Sequence, residues 1–394
     1  MVARAAGRQT GRVPSALTLE RVRRDIDVLA HAGLDTATFL AEVYESLHRA
    51  VASCAGCVAT IDPATRLVTG TFKFGDLAGR HDDDEQWGLL EYGHVEPTSF
   101  SELARTGVSA VGMHVETHGD VQRSRRMREL VQDCLGLTDE LRVIGSAGRE
   151  VWGGVALFRD DRSAPYREAD VAFVSSLSGL LARGLRVGLL ARLAAEAPVS
   201  PSAVAPAVMV FDAEGRLVQA SVGAEAHVAE LVRGVRTTMP SAVIGALVAG
   251  AWRYAAGATD VLPSSRLRLL SGKWVVLHAS PLTGGDGSPA RVVVTVEEAR
   301  PPEIVPLIVA AFDLTPRERD VTQLVLQGMD TREIAATLHM SPHTVQDHLK
   351  AIFTKTGVGT RRELVARVFF DQYVPRIGGP LTPSGGFLGS TTAT

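Results

Sequence analysis

The stretch LTPRERDVTQLVLQGMDTREIAATLHMSPHTVQDHLKAIFTKTGVGTRRELVARVFF, residues 314–370, contains four signals for the beginning of a helix. Each signal starts with a Ser, Thr or Asp side chain, which can accept a hydrogen bond from the free amides of a first helical turn. A Glu three residues later can bond back to the cap amide, and a proline is tolerated at the first helical position. The four signals are Thr315 with Pro316 and Glu318, Asp330 with Glu333, Ser341 with Pro342, and Thr360 with Glu363. Two glycines, Gly328 and Gly357, follow at positions where a left-handed residue ends a helix. The sequence therefore predicts four short helices.

Each of these helices has apolar residues at helical spacing, so four stripes can close one small core. The stripes are Val321, Leu324 and Val325; Ile334, Ala335 and Leu338; Val345, Leu349, Ile352 and Phe353; and Leu364, Val365 and Val368. Only His339, Met340 and Ser341 separate the second helix from the third. Because so short a connection forces a sharp crossing, the pattern indicates a helix-turn-helix.

The exposed face of the third helix is predicted to be polar and to suit the edges of DNA bases. It carries Thr344, Gln346, Asp347, His348 and Lys350. In the major groove Gln can pair with adenine, Asp can accept from cytosine and Lys can donate to guanine. Four basic residues flank this face and could hold phosphates, namely Arg332, Lys355, Arg361 and Arg362.

These motifs (LTPRERDV, REIA, SPHTVQDHL and IFTKTGV) resemble the LuxR family of DNA-binding domains. The resemblance implies a four-helix domain that binds double-stranded DNA as a homodimer and regulates transcription. It also implies that Gln346, Asp347 and Lys350 lie nearest the bases, that Thr344 and His348 seat the recognition helix, and that the fourth helix makes the dimer contact. Many relatives carry Lys or Arg at the position of Gln346, which leaves the base preference open.

Charge alone leaves an alternative, a small helical bundle used for protein contact. Residues 313–370 contain eight Lys or Arg and seven Asp or Glu, so the segment is not strongly basic. Neutralisation of phosphates dominates non-specific affinity for DNA. We therefore expect one isolated domain to bind weakly and dimerisation to matter.

Length and composition bound the rest of the chain. With 394 residues it should hold two or three domains. Its net charge of −3 means that the chain as a whole has no excess of positive charge to attract nucleic acid or acidic lipid. The first 16 residues lack the apolar core of a secretory signal, and no apolar run is long enough to span a bilayer. The expectation is a cytoplasmic protein with no membrane partner.

The predicted fold class is multidomain, with two α+β domains ahead of the all-α four-helix domain. Residues 17–196 mix helix and strand; a hairpin at 141–159, the segment PYREAD at 165–170 and one long helix at 167–195 resemble the closing half of a GAF domain. That resemblance implies an antiparallel sheet with a cavity for a small molecule. The long helix has Leu177, Leu181, Leu185 and Gly188 near one face, which either pairs in a dimer or covers its own sheet.

Residues 207–300 contain a strand, a D-x-x-G turn at 212–215, a strand, a helix at 241–256 and three further strands, an order that resembles a PAS fold. A second GAF-like module or an irregular linker domain is the alternative. No internal repeat is evident in the sequence. Residues 1–16 and 375–394 are predicted to be disordered, residues 197–206 to form a Pro/Ala/Ser linker, and residues 303–374 to form the DNA-binding domain.

Other candidate chemistry is sparse, and we predict no enzyme, no cofactor and no metal. Motifs for nucleotide hydrolysis, dinucleotide binding, zinc proteases and serine hydrolases are absent from the sequence. Cys54 and Cys57 are either inert thiols or a redox pair, and His94, His114 and His118 are either structural residues or haem ligands. The acidic run at 82–85 is predicted to be a solvated loop. A solvated basic face is predicted for Arg123, Arg125, Arg126 and Arg128.

Three functional hypotheses remain. The first is a one-component regulator whose GAF/PAS-like region responds to a small molecule or a protein, with RNA polymerase as a candidate partner. The second is a constitutive DNA-binding protein whose upstream domains dock other proteins. The third is a thiol redox enzyme using Cys54 and Cys57.

Overall fold

The structure, a computed structural model, describes residues 14–195, 207–222, 224, 241–269, 274–284 and 289–370. Of the segment 1–16 expected to be disordered, residues 1–13 lie outside the described residues, whereas residues 14–16 are described and Ala16 begins the first helix. The disorder expected at 375–394 and the linker expected at 197–206 also lie outside the described residues. The chain divides into two compact units. The first unit contains two antiparallel sheets with their helices, and the second contains the helices that begin at Pro301.

The first sheet has five strands, in the order β2-β1-β5-β4-β3, with each neighbouring pair antiparallel. Ser15 and Asp35 cap the two leading helices by accepting from first-turn amides, as their positions before apolar-periodic segments require. The elements are α1 Ala16–His31, α2 Thr36–Ala50, β1 Ala55–Ile61, β2 Val68–Gly75, α3 Asp84–Gly93, α4 Phe100–Thr106, β3 Ala110–Gly112, α5 Met113–Glu116, β4 Asp139–Ala147, β5 Glu150–Arg159, α6 Glu168–Ser175 and α7 Ser178–Ala195.

The second sheet repeats the strand order of the first, as β7-β6-β10-β9-β8. Its elements are β6 Ala207–Phe211, β7 Leu217–Ala220, α8 Ser241–Ala255, β8 Ser264–Arg268, β9 Trp274–Thr283 and β10 Pro289–Glu298. The predicted turn at 212–215 is present, with Gly215 in the left-handed region at φ 84°. The repeat escapes sequence comparison because antiparallel pairing depends on alternating burial and not on particular residues.

Two glycines bring the helices of these sheets together. A Cβ built on Gly88 of α3 would lie 2.2 Å from the carbonyl oxygen of Ala242, and one on Gly245 of α8 would lie 2.4 Å from the carbonyl oxygen of Glu85. Only a residue without Cβ lets two helix backbones approach this closely. The two predicted α+β domains therefore pack into a single unit.

The predicted long helix at 167–195 is in fact two helices, α6 and α7, bent by 43° at residues 176–177. The face proposed for a dimer is covered within the chain: Leu181 and Leu185 are buried and pack against Gly145 and Gly153 of the first sheet. The alternative reading, a helix that covers its own sheet, is the one this packing supports. No single described helix is long and apolar enough to cross a membrane, although α6 and α7 reach that length and composition when taken together.

Two expectations about solvated charges are wrong for one residue each, while Asp82, Arg123 and Arg125 are exposed as expected. Asp84, in the acidic run, is 1% exposed, forms an ion pair with Lys73 and is hydrogen-bonded to His81. Arg126, in the basic run, is also 1% exposed and pairs with Glu140 and Glu91. A local run of like charges is solvated only when no residue of opposite charge packs against it. Here residues of opposite charge from other segments do pack against both runs.

From Pro301 onward, the described residues of the second unit form five helices and a final π-helical turn. They are α9 Pro301–Ala311, α10 Pro316–Leu326, α11 Thr331–Thr337, α12 Pro342–Thr356 and α13 Arg361–Val365, followed by the turn Ala366–Phe370. The four predicted helices are thus confirmed as α10 to α13. The helix α9 precedes these four and packs against the final turn.

Candidate DNA-binding surface

All four predicted helix starts are capped in the second unit. Thr315 Oγ1 accepts from the Glu318 amide at 3.3 Å, while Glu318 Oε2 accepts from the Thr315 amide at 2.7 Å. The same reciprocal box joins Asp330 and Glu333. The hydroxyls of Ser341 and Thr360 each accept one first-turn amide, at 3.1 Å in both cases. These local bonds fix where each helix begins and hence how its side chains are aimed.

The predicted stripes close the core of this domain. Val321, Ile334, Val345, Ile352 and Leu364 are each fully buried. Some members of the stripes, Leu324, Leu338, Phe353 and Val365, are only half-buried. A short helix buries a narrow stripe, and its flanking apolar residues remain at the rim.

The turn between α11 and α12 depends on His339, which lies in the left-handed region at φ 53°. The structure ends α11 at Thr337, so the connection comprises residues 338–341. Arg317 of α10 donates to the carbonyl oxygen of Leu338 at 3.1 Å and so ties this turn to the first helix. The crossing of α11 and α12 is thereby set by one unusual backbone conformation and one side-chain bond.

The outer face of α12 carries the residues expected to contact bases. Thr344, Gln346, Asp347 and Lys350 are exposed, and His348 is half-buried. Asp347 lies between two partners, with Lys350 Nζ at 3.2 Å and His343 Nδ1 at 3.1 Å. Gln346 Nε2 donates to Thr331 Oγ1 of α11 at 3.3 Å. The face is therefore polar, accessible and internally hydrogen-bonded.

The role of His343 was missed by the sequence reasoning. The signal was available, because positions i and i+4 are neighbours on a helix surface, and His343 and Asp347 have that spacing.

The four flanking basic residues differ in whether their charged groups already have partners within the domain. Lys355 forms an ion pair with Glu318 at 2.7 Å, and Arg361 donates to the Met329 carbonyl and, at 3.1 Å, to Thr331 Oγ1. Arg332 and Arg362 are exposed, and their guanidinium groups have no hydrogen bond or ion pair among the described residues. The latter two are thus the better placed to meet phosphates.

Glu318 combines a cap with an ion pair, and its pKa reflects both. Burial alone would raise the pKa of this carboxyl, but the hydrogen bonds from Lys355 and from the Thr315 amide lower it below the ordinary value. The charged form is therefore the one that the folded domain prefers.

One face of the first sheet carries buried charged side chains. Lys73, Cys57, Ala156 and Arg142 are direct neighbours across four strands and so share one face. On that face Arg142 donates to Glu91 at 2.8 Å and stacks on Phe100 with its guanidinium carbon 3.8 Å from the ring centre. Buried ion pairs fill this side of the sheet.

The two cysteines of the C-x-x-C pair are not activated. Burial raises the pKa of Cys57 to about 12 and that of Cys54 to about 11. Because the thiolate is the nucleophile and the metal ligand, both groups are suited to inert packing. Among the described residues, no three His, Cys, Asp or Glu side chains gather as a metal site, and this includes His94, His114 and His118.

Comparison with known proteins assigns the second unit. Residues 313–368 match the model of bacterial regulatory proteins of the luxR family. A putative HTH-type transcriptional regulator of Mycobacterium bovis is 48% identical over 52 residues, which are 13% of this chain and 6% of that protein. The transcriptional regulatory protein UhpA of Escherichia coli is 46% identical over 56 residues, 14% of this chain and 29% of that protein. The similarity therefore spans less than a third of either relative.

Similarity to solved structures in the first unit is slight. The A. aeolicus nlh2 GAF domain in an inactive state covers 43% of this chain and 97% of its own, with 12% identity and a TM-score of 0.30. A score this low does not identify a fold. What stands for the first unit is its observed architecture, two antiparallel sheets with the same strand order.

Proposed function

Since residues 313–368 form a helix-turn-helix domain of the luxR family, we propose that the whole chain is a sequence-specific transcription regulator that acts as a dimer in the bacterial cytoplasm. In this proposal α12 is the recognition helix, and Gln346, Asp347 and Lys350 read base edges in the major groove. The two-sheet unit receives the controlling signal, a small molecule, and contact with RNA polymerase follows DNA binding.

One observation carries the proposal: the polar face of α12 is exposed while the opposite face is buried. Val345, Leu349 and Ile352 lie in the core, whereas Gln346 and Lys350 are exposed. A helix in the major groove needs a rigid inner face and polar outer residues that can reach bases. The bonds of Asp347 to Lys350 and His343 hold the outer residues in position before DNA arrives.

The dimer follows from the charge of the domain. Arg332 and Arg362 are two exposed cations without a partner among the described residues. Each phosphate that such a cation contacts releases only about one counterion from the DNA. One domain therefore has a small electrostatic contribution to affinity. Two linked domains that bind adjacent half-sites gain from effective concentration. The helix α13, which is short and carries the exposed Glu363, is the proposed contact.

The test is DNA selection with the purified full chain, followed by affinity measurements on the selected sequence at fixed salt. Lys350→Ala and Gln346→Ala should each weaken specific binding by about 1–3 kcal/mol and relax preference at one base pair. Gln323→Ala serves as the matched control, because Gln323 is an exposed polar residue on α10. It should leave affinity and preference unchanged.

Two results contradict the proposal. If no sequence is enriched over random DNA, the chain is not a sequence-specific DNA-binding protein. If both α12 variants keep the affinity and preference of the wild type, the recognition helix is assigned to the wrong residues. Sedimentation of the complex gives the number of chains on one site and tests the dimer separately.

A further inference from the structure

A cleft of about 340 Å³ opens where the two sheets of the first unit meet. One wall comes from the turn between β1 and β2 and from α3 and α4, and the other comes from α8 and the loop that follows it. Its lining includes Arg66, Tyr92, Ser101, Arg105, Arg253 and Leu262. The volume falls within the range of small-molecule sites, which occur preferentially at domain interfaces.

The charges in this cleft are unbalanced. Three arginines (Arg66, Arg105 and Arg253) face a single carboxylate, Glu102, which leaves two positive charges uncompensated. Arg105 donates to Glu102 at 2.9 Å. Arg66 and Arg253 are half-buried residues, and neither guanidinium group has a hydrogen bond or ion pair among the described residues. Guanidinium groups that line one cleft and lack an acceptor favour the binding of an anion there.

The backbone that presents Arg66 is constrained. Arg66 lies in the left-handed region at φ 60°, a conformation that costs a residue with a Cβ free energy. Its amide donates to the Asp62 carbonyl at 2.7 Å, and the Asp62 side chain accepts from the Ala64 amide at 2.9 Å. Strained backbone of this kind persists where surrounding contacts fix it, and it is frequent at binding sites.

The same turn is clamped by the second sheet. Asp62 is 2% exposed and accepts two hydrogen bonds from Arg266 of β8, one of them at 2.6 Å from Nε. Next to it the buried Ser265 hydroxyl donates to the Val68 carbonyl at 3.2 Å. A molecule held by both Arg66 and Arg253 would thus contact the turn between β1 and β2 and the helix α8, one element from each half of the first unit, and would favour the arrangement of the two halves seen here.

We propose that this cleft is the effector site and that it binds a small organic oxoanion, a carboxylate or phosphate with an apolar body. Arg66 and Arg253 hold the anionic group, Ser101 and Thr259 supply further hydrogen bonds, and Leu67, Val261 and Leu262 cover the apolar part. This inference rests on the proposed function, because it names the ligand class of the signal-receiving unit.

The experiment measures binding to the full chain in the absence of DNA. Phenyl phosphate and benzoate are titrated by calorimetry, with inorganic phosphate and neutral benzamide as comparison probes. At least one of the two organic anions should bind and raise the unfolding temperature detected by tryptophan fluorescence, whereas benzamide should do neither. Binding by the phenyl compound and not by inorganic phosphate would show that the apolar part contributes.

The variant pair Arg66→Gln and Arg253→Gln should each lower the affinity about tenfold, as expected for loss of one charge-assisted contact. The matched control is Arg149→Gln, which removes an exposed arginine from the turn between β4 and β5. The double variant Arg66→Lys with Arg253→Lys keeps the charges and should retain measurable binding even if the glutamine variants unfold.

The proposal is overturned if neither organic anion binds at millimolar concentration, if benzamide binds equally well, or if the Arg66→Gln and Arg253→Gln variants both fold and keep the wild-type affinity. DNA binding is measured separately without any anion. If anion binding fails while DNA binding is intact, only the assignment of the cleft as the effector site is wrong. If the anion binds but no DNA sequence is recognised, the proposed function is wrong and the assignment of the cleft as an anion site stands.

Discussion

Lys355 Nζ lies 2.7 Å from Glu318 Oε2, and this ion pair joins the last turn of α12 to the first turn of α10. The sequence analysis assigned Lys355 to a DNA phosphate, but in the structure its charge already has an intramolecular partner. Glu318 is also the closing residue of the capping box at Thr315. One carboxylate thus sets both the start of a helix and the position of the recognition helix.

We predict that Lys355→Met lowers the stability of the DNA-binding domain by about 1 kcal/mol or less, because the lysine is partly exposed and its partner keeps the cap bonds. Glu318→Ala should cost more, about 1–2 kcal/mol, since the cap is lost as well. Hydrogen exchange of the amides in α10, measured in the full chain, checks both values. Equal protection in the two variants would show that the ion pair and the cap do not share this carboxylate.

The pH dependence of the same domain follows from Glu318. Its pKa in the folded chain lies below the ordinary 4.5, so the stabilisation is complete above that pH and is lost as the pH falls through the folded value. Glu318→Gln should remove this acid-sensitive part, so that protection of α10 falls less in the variant than in the wild type as the pH is lowered below 4.5. An increase of wild-type stability on acidification below 4.5 would contradict the sign.

A third prediction concerns His339 in the helix-turn-helix turn. A left-handed conformation costs a residue with a Cβ about 1–2 kcal/mol of folding free energy, and glycine avoids this cost. Glycine also loses more conformational entropy on folding, which offsets about 0.5–1 kcal/mol of the gain. His339→Gly should therefore stabilise the domain by about 0.5–1 kcal/mol, and His339→Val should destabilise it. Denaturant unfolding followed by circular dichroism compares the two. Destabilisation by glycine would mean that the exposed imidazole makes a necessary contact.

Arg332 and Arg362 provide a prediction about salt. If each contacts one phosphate, Arg332→Ala and Arg362→Ala should each reduce the slope of log K against log salt concentration by about 0.9 and weaken all DNA sequences alike. Arg149→Ala, in the first unit, should not change the slope. An unchanged slope in both variants would place these arginines away from the DNA backbone.

The buried charges of the first sheet give a stability prediction. Arg142→Met leaves Glu91 buried without one of its two cations, which costs about 3–5 kcal/mol. Adding Glu91→Gln should restore part of the loss, so the double variant is more stable than the sum of the single changes implies. Urea unfolding detected by fluorescence of Trp87 and Trp152 measures this. Strict additivity would show that the two side chains are not coupled.

Packing between the two sheets depends on Gly88. A Cβ at this position would lie 2.2 Å from the backbone oxygen of Ala242, so Gly88→Ala should destabilise the first unit by about 1–3 kcal/mol. Gly179→Ala is the control, because a Cβ there meets nothing within 4 Å and helix propensity should give a small stabilisation. Similar effects of the two changes on tryptophan-detected unfolding would rule out the close helix contact.

Prediction from the sequence succeeded where the signals are local. The caps at Thr315, Asp330, Ser341 and Thr360 each involve a side chain and an amide two or three residues away, and all four are present. The hairpin of β4 and β5 and the turn at Asp212 were found for the same reason. The residues proposed to touch DNA stay a prediction, because exposure on α12 is a necessary condition and not a contact.

The sequence by itself determined the helices of the second unit, their caps and the polar face of α12, because these depend on residues three or four positions apart. Only the tertiary structure decided that Asp84 and Arg126 are buried, that Lys355 is paired and that Gly88 meets Ala242. Each of these involves partners far apart in the chain. Their meeting depends on how sheets and helices pack, and neither periodicity nor local charge contains that information.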